Sequence, residues 1–284
     1  MTETLSKFSD LPAIRAAIGY LGDMDEEPFM YYVDPPAGTP FTNAVDAPHD
    51  VDIFDIRGYE SRFSLEDDGF QRVRHDHAFA DFDDEEAVRG RYFPEVADMF
   101  RRLLGTQRVI VFDYAVRRPD HGPARPEGIP VAGVARRPIM RAHGDFIGNA
   151  MRDLVERMGD ACGPDPLKGR YRSFNFWRPI SGPLTDRPLA VCHPDTVSAQ
   201  DMVPMQQYTP MGNNRICALR YNPAHRWSTL SRMEANEGWI FSSYDSAYED
   251  CRGVVTHCAF NNPAHGPDGL ARDSIEVRIL AFGG

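Results

Sequence analysis

Between residues 108 and 282 the chain breaks into short apolar and β-branched runs separated by Gly, Pro and Asn turns. That punctuation constrains the fold more than any other feature of the sequence. Eight segments read as strands: 108–116, 138–142, 171–179, 188–192, 215–221, 237–242, 253–260 and 274–282. One helix, 146–158, interrupts them. Irregularly spaced strands closed by turns suit a barrel or a two-sheet jelly roll. A doubly wound α/β sheet would need strand and helix in regular alternation, which is absent. The expectation is a mainly β protein with peripheral α-helices.

The first third reads differently. Residues 1–25 predict an amphipathic helix, with Asp10 as its cap, Pro12 in the first turn, and Ile14, Ala17, Ile18 and Leu21 at helical spacing. Extended runs at 29–33 and 51–56 flank a Pro/Gly/Asp-rich loop, 35–50. A helical block from about 85 to 104, interrupted near Pro94, carries the apolar stripe Tyr92, Phe93, Val96, Met99, Phe100 and Leu103, which fits a core-facing surface. No linker convincingly divides the chain. One domain over 1–284 is expected, with 1–107 a helical extension with flanking strands and 108–284 the β core.

Charge narrows the partners. The chain of 284 residues sets 31 Lys and Arg against 42 Asp and Glu, a net charge of −11. Such a surface argues against nucleic acid and against anionic membranes. No apolar run is long enough to span a bilayer, and the N-terminus lacks a signal-peptide pattern. The five cysteines, Cys162, Cys192, Cys217, Cys251 and Cys258, are odd in number and never spaced as CxxC. Reduced thiols in a cytoplasm fit better than a disulfide framework.

Nucleophile-elbow, P-loop and dinucleotide-binding motifs are absent, and the histidines carry the chemical signal. Two of nine begin a His-x-Asp triplet: His143-Gly-Asp145 and His193-Pro-Asp195. Positions i and i+2 of a strand share a face, so such a pair can turn an imidazole and a carboxylate toward one metal. A second histidine from another strand completes the 2-His-1-carboxylate set that holds Fe(II) and leaves coordination positions open. Only one triplet can serve a single centre. His143 closes an apolar-containing strand, and Asp145 precedes a helix that it can alternatively cap. His193 is followed by a proline that signals a turn. His257 shares a strand face with Val255 and Ala259 and can face a barrel interior. In the closing strand Arg272, Ser274, Glu276 and Arg278 fall on one face, opposite Ile275 and Val277. A forked guanidinium beside a hydroxyl suits a dicarboxylate, although a solvent-facing polar strand gives the same pattern.

Four stretches follow one another in a familiar order: HGD at 143–145, NFWRP at 175–179, THCAF at 256–260 and RDSIEVR at 272–278. With SLEDDGF at 64–70, YFPE at 92–95 and NPAHRW at 222–227, the chain resembles the CmcJ/NvfI-like group of secondary metabolism, also called AsaB-like hydroxylase/desaturases. The resemblance covers most of the chain. It implies a double-stranded β-helix (jelly-roll, cupin-like) core and an oxygenase dependent on Fe(II), 2-oxoglutarate and O2. It places the iron ligands on His143, Asp145 and His257. The 2-oxoglutarate arginine falls on Arg272, fifteen residues after the distal histidine, with Ser274 as its helper and Arg278 as rival for that role or as a substrate or structural arginine. The reaction it implies is hydroxylation, desaturation or oxidative cyclisation at a C–H bond of a small-molecule substrate. The group usually carries Asp where this chain has His193, so that triplet departs from the pattern at a non-ligand position. Asn175 and Trp177 can line the co-substrate pocket, with core packing the alternative for Trp177. Two other classes use the same residues: a cupin-like isomerase or hydrolase, which needs the histidines but not Arg272, and a non-enzymatic small-molecule binding barrel.

Overall fold

In the computed structural model, residues 2–118, 136–209, 212–248 and 253–283 are described, and Cys251 lies outside them. The strands are β1 (Ala13–Leu21), β2 (Phe29–Tyr31), β3 (Asp46–Asp55), β4 (Phe70–Arg74), β5 (Val109–Arg117), β6 (His143–Gly144) and β7 (Tyr171–Pro179). The second half adds β8 (Leu189–Cys192), β9 (Met202–Thr209), β10 (Gly212–Leu219), β11 (Trp227–Thr229), β12 (Glu237–Asp245), β13 (His257–Ala259) and β14 (Ser274–Phe282). The helices are α1 (Thr2–Ser6), α2 (Leu65–Asp68), α3 (Glu85–Ala87), α4 (Phe93–Leu104) and α5 (Ala150–Met158). Among the described residues these strands form two sheets, ordered β1-β3-β11-β8-β13-β6-β10-β9-β2 and β4-β12-β7-β14-β5.

Alternation along the strands builds the layers. In β8, Leu189 and Val191 pack with Trp177, Trp239 and Phe241 of the smaller sheet, so the two sheets face each other there. Ala190 and Cys192 point the other way, into a cluster with Ile18, Tyr20 and Trp227. In β14, Ile275, Val277 and Ile279 lie under α4 against Val96 and Phe100. The intervening Ser274 and Glu276 are also buried, which leaves them on the inner face. The helix stripe read from the sequence is that outer cover, except for Leu103, which is exposed. A π-helical turn, Val88–Tyr92, leads into α4, Pro94 occupies its first turn where a missing N–H is harmless, and Gly105 ends it at φ 66. Each fully buried Phe or Val in this layer contributes about 1.5–3 kcal/mol.

The mainly β, jelly-roll expectation therefore holds, but several elements differ from their sequence reading. The predicted N-terminal helix is only α1; Ala13–Leu21 is instead a strand paired over nine residues with β3. Its apolar residues fit both periods: Ala16, Ile18 and Tyr20, two apart, are buried, and Leu21 at the strand end is buried with them. Pairing with β3 decides between them. Asp10 caps nothing and instead receives the Arg62 fork at 2.6 and 2.9 Å. The loop 35–50 is partly β3, whose exposed, polar start conceals it. The strand expected at 138–142 makes isolated contacts only, and the regular pairing begins at His143. Strand 253–260 contracts to β13, and helix 146–158 starts later, at Ala150. Strands β1 to β4 join both sheets, so the region before residue 108 is woven into the core rather than appended to it. Among the described residues no helix is long and apolar enough to cross a membrane.

Candidate metal centre

The pairing of β13 with β6 sets His257 directly opposite His143. Directly opposed residues on antiparallel strands bring their side chains together, and the two imidazole rings lie 4.4 Å apart between centroids. Asp145, two residues after His143, joins them. One ligand atom from each of His143, Asp145 and His257 lies within 4.8 Å of the other two, and all three residues are buried. Asp145 does not cap α5, whose preceding residue is Asn149.

The hydrogen bonds orient this set for a cation. His143 Nδ1 lies 2.9 Å from the Arg141 carbonyl and His257 Nδ1 3.2 Å from that of Val255. A carbonyl accepts only, so each Nδ1 carries a proton, and Nε2 is the nitrogen left to face the centre. His257 Nε2 is buried without a hydrogen-bond partner, a costly arrangement unless something electrophilic is to be received. Burial, reinforced by the neighbouring His257 ring, holds His143 at about 4, so it is a neutral ligand at physiological pH. Burial pushes the Asp145 carboxyl upward, but the Arg278 guanidinium, the two imidazoles and the Asn175 hydrogen bond together outweigh it and hold the group well below the usual carboxylate range. Two imidazoles and one carboxylate fit a borderline divalent metal such as Fe(II).

The two candidate arginines are differently placed. Arg272 is buried, with Nε donating to Ser274 Oγ at 2.9 Å and Nη1 to the Arg187 carbonyl at 2.7 Å. Its guanidinium stacks 5.0 Å from the Trp177 ring. Among the described residues no carboxylate forms a salt bridge with it, and burial pushes its pKa down to about 9. A desolvated cation of this kind is suited to an incoming carboxylate. Arg278 is already engaged, by Asp113 at 2.7 Å, Glu276 at 3.0 Å and Asp145 at 3.4 Å. Asn175 donates to Asp145 and Glu276, and the Trp177 Nε1 is buried without an acceptor.

The second triplet stands elsewhere. His193 Nε2 bonds Asp68 at 2.8 Å, edge-on to Phe8 and Phe70, while Asp195 accepts from Thr4 at 3.1 Å. Both residues tie the N-terminal segment to the body of the protein. His225 stacks on Tyr20, whose hydroxyl accepts from Trp227 Nε1 at 2.7 Å, and His265 meets the Thr185 hydroxyl. A cavity of about 230 Å³ opens on His143, lined by Met30, Tyr32, Ile139, Arg141 and Met205 among others. The sequence reading missed Arg117 and Asp113, which surround Glu276 and Arg278 from β5. Their shared parity on β5, matching the polar parity of β14, was the available signal.

Comparison with known proteins shows what the chain is similar to. A family model described as "Oxidoreductase/YMDC permease-like domain" matches residues 18–282. The Fe(II)/2-oxoglutarate-dependent dioxygenase nvfI of Aspergillus novofumigatus is 30% identical over 276 residues, spanning 91% of this chain and 92% of that protein. The alpha-ketoglutarate-dependent dioxygenase tstK of Talaromyces stipitatus is 28% identical, over 82% and 84% of the two chains. Among solved structures, the iron and alpha-ketoglutarate-dependent endoperoxidase NvfI superposes with a TM-score of 0.83 at 28% identity, covering 97% of this chain and all of that one.

Proposed function

The chain belongs to the NvfI-like family of Fe(II)/2-oxoglutarate-dependent oxygenases, and on that premise we propose that His143, Asp145 and His257 hold its iron. The enzyme is a dioxygenase that uses Fe(II), 2-oxoglutarate and O2. Bound iron supplies dioxygen activation coupled to oxidative decarboxylation of the keto acid. Arg272, steadied by Ser274 and Trp177, receives the far carboxylate of 2-oxoglutarate and fixes the length of the co-substrate relative to the metal. The cavity beside His143 takes the substrate, a small molecule of the secondary-metabolite kind. Met30, Ile139 and Met205 exclude water from it, and Tyr32 and Arg141 offer polar contacts at its wall. The outcome is hydroxylation, desaturation or ring formation at a C–H bond held against the iron. Buried cysteines without a disulfide, such as Cys162 and Cys192, suit a reducing cytoplasm.

One observation carries the reading: two imidazoles and a carboxylate converge, with a buried histidine nitrogen left unpartnered among them. A cupin-like enzyme without 2-oxoglutarate would have no use for a desolvated Arg272 lacking a carboxylate. Anaerobic addition of Fe(II) and then 2-oxoglutarate tests the proposal, because chelated keto acid gives the centre a weak visible charge-transfer band. The band is expected in the wild type and in His193→Ala, and is expected to vanish in His143→Ala and His257→Ala. Its persistence in either ligand variant would overturn the assignment.

A further inference from the structure

Asp145 presents two chemically different oxygens. Oδ1 lies 3.8 Å from His143 Nε2. Oδ2 accepts from Asn175 Nδ2 at 2.6 Å and from Arg278 Nε at 3.4 Å. The strand register makes this possible, because Arg278 of β14 pairs with Asn175 of β7 on one side and with Asp113 of β5 on the other. All three project from the inner face of the smaller sheet toward the ligand set.

The cluster holds itself in place. Asn175 Nδ2 spends its second hydrogen on Glu276 Oε1 at 2.8 Å, and Arg278 Nη2 reaches the same oxygen at 3.0 Å. Arg117 Nε approaches the other Glu276 oxygen at 3.5 Å, and Arg278 Nη1 donates to Asp113 at 2.7 Å. The amide orientation of Asn175 is fixed by its neighbours, since a flip would set its carbonyl against two carboxylates. Glu276 is therefore the anchor that pins both donors, and the donors in turn pin Oδ2.

We infer that Asn175 and Arg278 are positioning residues that restrict Asp145 to a one-oxygen metal ligand. With Oδ2 held by both donors, only Oδ1 is offered to the cation. A carboxylate free to rotate would also bind through both oxygens, and the second oxygen would take a coordination position that keto acid or oxygen needs. Partners behind a ligand commonly change metal affinity by 10–100-fold. The inference rests on the iron-ligand reading above.

The test is an anaerobic Fe(II) titration of the full chain, each variant checked for a cooperative melt without metal, followed by 2-oxoglutarate. Asn175→Ala is expected to weaken Fe(II) binding by about 10–100-fold and, at saturating Fe(II), to need more keto acid for the visible band. Arg278→Lys keeps the charge but loses the fork, and is expected to move both readouts in the same direction by a smaller factor. Purely structural residues would lower the metal-free melting temperature and leave both constants alone. Folded Asn175→Ala with wild-type affinity for both ligands would overturn the inference. If Asn175→Ala gives no cooperative melt, Arg278→Lys decides by the same criterion. A wild-type protein that binds no Fe(II) would overturn the iron-ligand reading and this one together, whereas normal wild-type binding with indifferent variants sinks this one alone.

Discussion

Arg272 and Arg278 lie six residues apart on one inward-facing row, and their environments separate their roles. A guanidinium surrounded by three carboxylates already has its charge compensated, whereas one held only by a hydroxyl and a carbonyl still lacks a counter-charge that a diacid can supply. Arg272→Ala should therefore raise the KM for 2-oxoglutarate by about 10–100-fold, the worth of a charge-assisted hydrogen bond at roughly 1.5–3 kcal/mol. Fe(II) affinity, titrated without keto acid, should stay near wild type. A KM unchanged in Arg272→Ala would refute the assignment. Arg278→Ala leaves Glu276 and Asp145 buried beside an empty position, and removal of one partner from a buried ionic group costs about 3–5 kcal/mol. Denaturant unfolding of the metal-free protein should show that loss. Little of this was legible in the sequence. The row of polar residues on β14 could be read by alternation, but which of its arginines is already paired depends on Asp113 and Asn175, supplied by other strands.

At the scale of elements, β6 is only two residues long yet carries the first ligand, and Gly144 explains how it fits. A Cβ at Gly144 would come within 2.5 Å of Val254 Cγ1, on the segment leading to His257. Val is stiff at χ1, so it cannot swing aside cheaply. Gly144→Ala should push β6 from β13, separate the two histidines, and cost about 1–3 kcal/mol of stability together with most of the Fe(II) affinity. Metal titration beside a thermal melt would show whether both fall; retention of full affinity would mean that the strands tolerate the spread. The sequence made β7 and β14 readable because each is a nine-residue run rich in aromatic or β-branched residues, with Ile275, Val277 and Ile279 alternating with polar residues in the first part of β14. It misled at β1, where AIRAAIGYL satisfies both a helical and a two-residue period and only the partner strand chooses. The short strands β4 and β11 went unread for a related reason, since three to five residues carry too little periodicity to stand out. The ligand triplet was visible as a spacing, but His143-Gly-Asp145 and His193-Pro-Asp195 look alike until Asp68 claims one and His257 faces the other.

Across the described residues, burial pushes down the pKa of His143, His75, His77 and His225, and this sets how stability responds to pH. His143 is held at about 4 by burial and the adjacent His257, His75 at about 4 by burial and the stacked His77, and His77 at about 4 by burial and Arg178. In the unfolded chain each would titrate near 6.5. Between about pH 6.5 and 4 the unfolded state thus binds protons that the folded state refuses, and stability must fall as the pH falls through that window. The buried carboxylates act at lower pH. Glu237, raised by burial but lowered more by Arg57 and its other donors to about 2, stabilises the fold above its unfolded value and loses that contribution only as pH drops further toward 2. Acid sensitivity should therefore begin with the histidines. Melting temperatures of the chelator-treated protein should decline steadily from about pH 6.5 to 4.5, before the carboxylates contribute. His143→Gln removes one refused proton, worth on the order of 3 kcal/mol for a nearly enclosed ring shifted this far, and should flatten the decline measurably. His75→Gln should flatten it independently, because His75 packs beside Tyr92 and Phe176, behind the smaller sheet, and shares no partner with the ligand set. A melting temperature that stays level across the window in the wild type would mean that these rings accept protons in the folded state, and that the neutral His143 derived for the metal centre is wrong.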